Sequence, residues 1–561
     1  MFFSKEVLLF AAVAACFSAL AQAEDMGRLI ENARQLREKL LRDPHRPTYH
    51  IVAPEGVCAP FDPNGALYWK GRYHLMYIVQ TEKGHCWAHI SSKDLVYWRQ
   101  HPLALQPGEG DEGIYSGGAA LDKNGVPTIT YWGLGKPRGI CIATSTDENL
   151  DVWTKSPHNP VIKETQHGLA VIPAEVAPAS VPAGRDAGAT VYGAADPSQI
   201  WIKDGRYYML TGNLLVLREF GLKRKQPEHL GDTLSLFVSD DLAKWTYLHP
   251  FYKSDRKWTQ ENEDDMCPDF FALPSKPGGV APASAPAGRD ASATTAGTEA
   301  GATRHMILFI SHNLGCQYYV GRYANDRFTP ETHGRMTWVD NAFFAPESLS
   351  DDKGRRIMWS WIFDQRKPET RKASQWSGEL SLPRELWLGE DGTLRMRPVE
   401  ELQKLRYNPQ TVESVSVESG KDVVLDKIKG NTLELLLEID PQGAKQVGVK
   451  VCRSPDGAEE TAVFYDATEQ KLKVDVTKAS LGEGPKNVEA GPFALKDGEP
   501  LTLRVFVDRS VVEAFANDRQ GVMRRLYPTK ADSVGVSLFS LGGTAKFRVI
   551  KAWEMMASNP H

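Results

Sequence analysis

The chain has 561 residues, 42% hydrophobic and 24% charged, values of an ordinary globular protein that exclude a collagen-like or wholly disordered chain. Sixty-six Lys and Arg stand against 71 Asp and Glu, a net charge of −5. So even a balance gives no broad electrostatic reason to seek nucleic acid or an anionic membrane, and a small or neutral partner is expected.

The first 23 residues read as an export signal. Lys5 supplies the positive charge, Val7 to Leu20 is apolar, and Ala21-Gln22-Ala23 is an A-x-A cleavage site. The apolar stretch is shorter than the ~18 residues of a membrane span. A periplasmic or extracellular protein is expected. The competing reading is a lipoprotein, since Val13-Ala14-Ala15-Cys16 looks like a lipobox. Six further cysteines, at 58, 86, 141, 267, 316 and 452, have no metal-ligand spacing and read as buried free thiols; no metal or organic cofactor is expected.

Residues 24–45 form a lead-in, in which Met26, Leu29, Ile30, Ala33, Leu36 and Leu40 recur at helical spacing. From 46 to about 400 the chain consists of short aromatic and β-branched runs between turn signals such as Asn64-Gly65, Asn124-Gly125 and Asp204-Gly205. A Ser, Asp, Leu, Trp pattern closes three of these units, at Ser92 to Trp98, Ser145 to Trp153 and Ser239 to Trp245. Units open near Asp62, Ala119, Asp196, Pro268 and Ala345. This repetition predicts an all-β, five-bladed β-propeller, with a β-sandwich as the competing architecture. Two low-complexity stretches, near 174–191 and 275–303, sharing a nearly identical segment at 177–190 and 281–294, interrupt it and read as surface insertions. Residues 407–557 alternate with period two, for example Leu433, Leu435 and Leu437 or Leu501, Leu503, Val505 and Val507. They predict a C-terminal β-sandwich.

A propeller gathers the openings of its innermost strands around one axis. Asp62, Asp196 and the run Glu261, Glu263, Asp264 and Asp265 would therefore converge. Paired carboxylates among aromatic side chains are the equipment of glycoside hydrolysis. Alone, Asp62-Pro63-Asn64-Gly65 reads as a β-turn.

The ordered set of segments resembles glycoside hydrolase family 32, the invertases, inulinases and levanases. It includes Arg46-Pro47-Thr48-Tyr49-His50, Asp62-Pro63-Asn64-Gly65, Trp87-Ala88-His89 with Asp94-Leu95 to Trp98, and Tyr115-Ser116-Gly117. Asp196-Pro197, Cys267-Pro268-Asp269-Phe270, Trp376-Ser377-Gly378, Leu382-Pro383-Arg384-Glu385-Leu386 and Asp508-Arg509-Ser510-Val511-Val512-Glu513 continue it. The resemblance implies a β-fructofuranosidase acting with retention on sucrose, inulin or levan, with Asp62 as nucleophile and Asp196 as transition-state stabiliser. Asn64, Trp87, Ser116 and Trp376 would bind the sugar; Phe343 and Phe344 also fall where the family lines its pocket.

Three departures bear on mechanism. Ala59-Pro60-Phe61 replaces the family's W-M-N, Ala195 its arginine, and Met266 the acid/base glutamate before Cys267. A thioether cannot donate a proton. Glu263 is then the favoured acid, Asp265 the second, and Asp264 the choice in a strictly extended strand, where it shares the face of Met266. The alternatives are a related furanosidase, a glycosyltransferase of the same clan, or a propeller that binds carbohydrate without cleaving it.

Overall fold

The computed structural model describes residues 26–165, 168–172, 190–214, 231–260, 262–278 and 303–559. The export signal with Cys16, Glu261 and most of both low-complexity stretches lie outside the described residues. Residues 26–42 are helical, and Met26, Leu29, Ile30 and Leu41 of their apolar stripe remain exposed.

Beyond this helix the described residues are mainly strands, with one further short α-helix, Pro368–Ser374, and a 3-10 turn, Glu400–Leu405. Five antiparallel sheets of four to six strands follow in chain order among the described residues up to Pro398. The first is a meander, Pro63–Trp69, Arg72–Thr81, Gly84–Ser92 and Trp98–Gln100. The others open with Asp111–Ile114 and Ala119–Leu121, Ala195–Pro197, Met266–Ala272 and Phe343–Ser350. Pro63–Trp69 touches Ala119–Leu121 on one side and Phe343–Ser350 on the other. Ala195–Pro197 touches Pro127–Gly135 of the second sheet and Met266–Ala272 of the fourth, which in turn touches Phe343–Ser350. The ring closes on itself, so the open edges of the inner strands are short and sheltered at the axis, the arrangement of a β-propeller.

The repeated Ser, Asp, Leu, Trp pattern has one physical meaning in all three sheets. Asp94, Asp147 and Asp241 each accept hydrogen bonds from backbone N–H groups two to four residues on, and tie back to Ser92, Ser145 and Ser239. Leu95, Leu150 and Leu242 take φ of +62°, +59° and +66°, and Trp153 and Trp245 donate their indole N–H to the leucine carbonyl. An Asx turn with a leucine of positive φ at its tip is the recurring corner between sheet strands.

A second repeated device lies at the axis. The opening strands of the first, third, fourth and fifth sheets each lose register at their start, between Asn64 and Leu67, Ala195 and Pro197, Met266 and Asp269, and Phe344 and Glu347. Gly65, Asp196, Cys267 and Ala345 stand there with positive φ. Bulges bend a strand and re-aim its side chains, here toward the mouth of the ring. At Gly65 a Cβ would come within 2.6 Å of Met76 Sδ, so only glycine lets this strand lie against its neighbour.

Residues 406–555 form two stacked antiparallel sheets of seven and six strands. Their alternating Leu433, Leu435, Leu437, Val447, Val449, Leu503 and Val505 make a separate apolar core, the arrangement of a β-sandwich. Ion pairs join it to the propeller: Arg384 with Glu513 and Arg525 with Glu379, both buried, and Arg524 with the half-buried Asp340 at 2.6 Å.

Candidate active site

The opening bulges converge on a cavity of about 460 Å³, lined by Asp62, Ser116, Asp196, Met266, Cys267 and His312, with Tyr115, Arg138, Phe344, Trp361 and Phe363 in its wall. Asp62 precedes the first strand and is 6% exposed. Its Oδ2 accepts a hydrogen bond from Ser116 Oγ at 2.6 Å, while its main-chain oxygen accepts from Ile78 N–H and Asn64 Nδ2. Burial raises the Asp62 carboxyl to about 6; the Ser116 hydrogen bond and the nearby His312 pull the other way. Asp196 stands at φ +32°, and its Oδ2 accepts from Cys267 Sγ at 3.3 Å. Burial first, and then the charge of Asp62, raise it to about 7. Two buried carboxylates within each other's field, each with one oxygen free of a hydrogen-bond partner, are poised for charged or electron-deficient substrate groups.

The other predicted site residues divide. Ser116 lies in the cavity and holds Asp62. Asn64 does not line it: its amide bridges Asp62 O (2.7 Å) and Gly117 N (3.0 Å), fastening the first two sheets together. Trp87 is fully buried, its indole N–H given to Tyr115 O at 3.1 Å. Trp376 is also fully buried, bonded to Asp43 Oδ2 at 2.7 Å with Arg366 over its ring. Neither indole has a face for a sugar, which corrects the expectation for both. Phe343 is core, whereas Phe344 reaches the wall.

The acidic run is corrected in the same way. Glu263 is buried outside the cavity, held by Arg335 at 3.1 Å, Gln317 Nε2 at 2.8 Å and Gln260 N–H at 2.9 Å. Burial acts to raise its carboxyl, but these hydrogen bonds and the Arg335 charge outweigh it and hold it below the ordinary value. A carboxylate stabilised in its charged form is a poor proton donor. Asp265 is fully buried away from the cavity, and burial and the Asp232 charge hold it well above the carboxylate range. Asp264 does not reach the cavity either; both its oxygens serve His312, Oδ1 its backbone N–H at 2.8 Å and Oδ2 its Nδ1 at 2.6 Å. Met266 is 1% exposed and contributes only apolar surface.

Sequence reasoning missed His312, Trp361 and Phe363. The two aromatics sit 4.1 Å apart by ring centroid on and just beyond Arg356–Ile362, and no turn or motif marks them. Among the described residues, His89, His101 and Asp151 bring three ligand atoms within 4.8 Å of one another. The two imidazoles are stacked at 4.2 Å and 25°, so their in-plane lone pairs do not converge, and both His101 nitrogens are taken, by Ser91 and Asp151. They do not form a metal centre. All six described cysteines are free, and only Cys267 is less than buried.

A propeller with a stacked sandwich, holding two buried carboxylates and an imidazole in an aromatic-walled cavity, has the makings of a glycosidase. The N-terminal domain of glycosyl hydrolases family 32 matches residues 50–172 and 187–398, and the C-terminal domain of that family matches residues 401–554. The chain belongs to family 32 of the glycosyl hydrolases and is a glycosidase acting on O-glycosyl bonds. It is 25% identical to a sucrose-6-phosphate hydrolase of Zymomonas mobilis, over 97% of each chain. It is 28% identical to a levanase of Bacillus subtilis, over 90% of this chain and 69% of the levanase. Fructan 1-exohydrolase IIa from Cichorium intybus has the same fold, with a TM-score of 0.74 at 22% identity, covering 92% of this chain and 98% of the exohydrolase. Exo-inulinase from Aspergillus awamori superposes with a TM-score of 0.68 at 20% identity, covering 92% and 99%.

Proposed function

We propose that the protein is a β-fructofuranosidase that cleaves sucrose, inulin or levan type linkages by double displacement with retention, and that it is exported through residues 1–23. The observation that carries the reading is the Asp62 carboxylate, fixed by Ser116 at 2.6 Å in a cavity it shares with Asp196. Asp62 attacks the anomeric carbon and forms a fructosyl ester; Asp196 stays unreacted and stabilises the oxocarbenium-like transition state. Phe344, Trp361 and Phe363 offer flat apolar faces to the sugar ring. Relatives named as sucrose-6-phosphate hydrolase, fructan 6-exohydrolase and levanase support the fructoside over an arabinofuranoside. No helix among the described residues is long and apolar enough to cross a membrane.

The test is sugar release from sucrose, inulin, levan and arabinan by the mature protein, with Asp62→Asn alongside. Free fructose from the wild type alone is expected. Arabinose instead would overturn the substrate, and binding of a fructan without release would make the protein a carbohydrate-binding propeller.

A further inference from the structure

Family 32 chemistry needs a group that protonates the leaving oxygen, yet Met266 stands at the family's acid position, and Glu263, Asp264 and Asp265 all lie outside the cavity. The neighbouring strand offers another group. Met266 pairs with Ile310 in the antiparallel ladder of the fourth sheet, and the same register carried two residues further puts Asp264 opposite His312. With period-two alternation, His312 then projects from the same end of the sheet as Met266. Met266, Ile310 and His312 indeed line the cavity together with Asp62 and Asp196.

The imidazole is built in. Asp264, fully buried, accepts from the backbone N–H of His312 at 2.8 Å and from its Nδ1 at 2.6 Å. Asn341 Nδ2 holds the His312 carbonyl at 2.7 Å, and Phe344 packs edge-on at 5.7 Å between ring centroids. With Nδ1 committed to Asp264, Nε2 is the nitrogen left to serve the cavity, on a side chain 22% exposed. A carboxylate on one nitrogen fixes tautomer and orientation for proton transfer at the other.

We propose that His312, positioned by Asp264, is the proton donor and acceptor of this glycosidase, taking the part of the family's glutamate from the adjacent strand. The inference rests on the hydrolytic reading above. The groups facing the ring are Asp264, Asp196, Asp62, the Cys267 thiol and, in the cavity wall, Arg138. Burial works against the imidazolium, but Asp264 and then Asp196 and Asp62 outweigh it and raise His312 above the usual imidazole range. Cys267 gives its hydrogen to Asp196, and burial and the two aspartates hold the thiol well above its ordinary value.

In the first half-reaction Asp62 bonds to the anomeric carbon, the bond from that carbon to the leaving oxygen breaks, and the Nε2 proton goes to that oxygen, leaving neutral imidazole. In the second, water attacks the anomeric carbon and gives a proton to Nε2 while the bond to Asp62 breaks, restoring carboxylate and imidazolium. The sum is glycoside plus water to sugar plus alcohol.

The experiment compares wild type, His312→Gln, Asp264→Asn and Asp62→Asn on sucrose and on 4-nitrophenyl β-fructofuranoside, whose leaving group needs little protonation. His312→Gln is expected to lose about 10²–10⁴-fold on sucrose, to lose far less in the nitrophenol burst, and to be accelerated by azide, a nucleophile that needs no general base. Its retained burst shows that the variant folds. Asp264→Asn, the positioning residue, should move the alkaline limb of kcat/KM to lower pH. Full activity of His312→Gln on sucrose, or equal loss on both substrates, overturns the assignment while the hydrolytic reading stands. A wild type inert on every substrate overturns both.

Discussion

His50 and Asp508 meet at the seam between propeller and sandwich: Asp508 Oδ2 lies 3.0 Å from His50 Nδ1, and both side chains are wholly buried. Asp508 also accepts the backbone N–H groups of Thr48, Tyr49 and His50, while Glu513 lies 3.1 Å from His50 Nε2. Burial alone would lower His50, but the two carboxylates overcome it and raise the ring to about 9. The folded value exceeds the unfolded ~6.5, so this contribution is complete below about pH 6.5 and is lost as pH rises through about 9. We expect the melting temperature to fall between pH 6.5 and 9, and His50→Gln to remove that slope while lowering stability at pH 6. An unchanged slope in thermal scans of His50→Gln would refute the linkage.

Asp62 illustrates stability given up for function. Burial lifts its carboxyl from 3.8 to about 6, so the native state loses stability as pH rises from 3.8 through 6. A shift of that size corresponds to about 3 kcal/mol. Asp62→Asn removes the buried charge and keeps an acceptor for Ser116. It should abolish turnover and raise the melting temperature at pH 7 by several degrees; an inactive variant that melts lower would contradict this account.

Ser116 tunes the same carboxyl, because its hydrogen bond acts to lower the value that burial raises. The acid limb of kcat/KM should lie near pH 6 to 7, where Asp62 and Asp196 ionise. Ser116→Ala should move that limb to higher pH and reduce the plateau by about ten- to a hundred-fold, a net hydrogen bond to a charged group being worth ~1.5–3 kcal/mol. A pH–rate profile with an unmoved limb would place the controlling group elsewhere.

Much of the propeller was legible because its devices are local. The Ser, Asp, Leu, Trp corners and the Asp62-Pro63-Asn64-Gly65 strand entry each fit within a few residues, and each is realised by short-range hydrogen bonds. The Asp508 to Glu513 segment was legible only as a family resemblance; its part in the domain junction was not, because its partners His50 and Arg384 lie far away in sequence. His312 was not legible. Its partner Asp264 is 48 residues away, the low-complexity stretch lies between them, and an isolated histidine has no spacing to betray it until strand register is known. Trp87 and Trp376 failed in the opposite sense: both indoles lie in conspicuous segments, and both turned inward to satisfy their N–H groups.

Glu263 separates a structural carboxylate from a catalytic one. It anchors Arg335, Gln317 and Ser311, so Glu263→Gln should lower stability by about 1–3 kcal/mol through the weakened pair. Because it lies outside the cavity, kcat on sucrose should stay within a few-fold and the pH–rate limbs should not move. A folded Glu263→Gln that melts like the wild type and has lost its turnover would return the proton donor to Glu263.

The aromatic wall gives the last contrast. Trp361 lies in the cavity wall beside Phe344 and Phe363, whereas Trp87 packs in a core cluster with Met76, Ile114 and Tyr131. Stacking of a sugar on an indole is an interaction of the bound complex, so Trp361→Ala should raise KM for sucrose several-fold or more. Trp87→Phe leaves a cavity and an unpaired Tyr115 carbonyl, and should cost about 1–3 kcal/mol of stability with KM unchanged. Steady-state kinetics and thermal melts on both variants distinguish the roles; a KM effect at Trp87 without a stability loss would mean that its indole contacts the sugar after all.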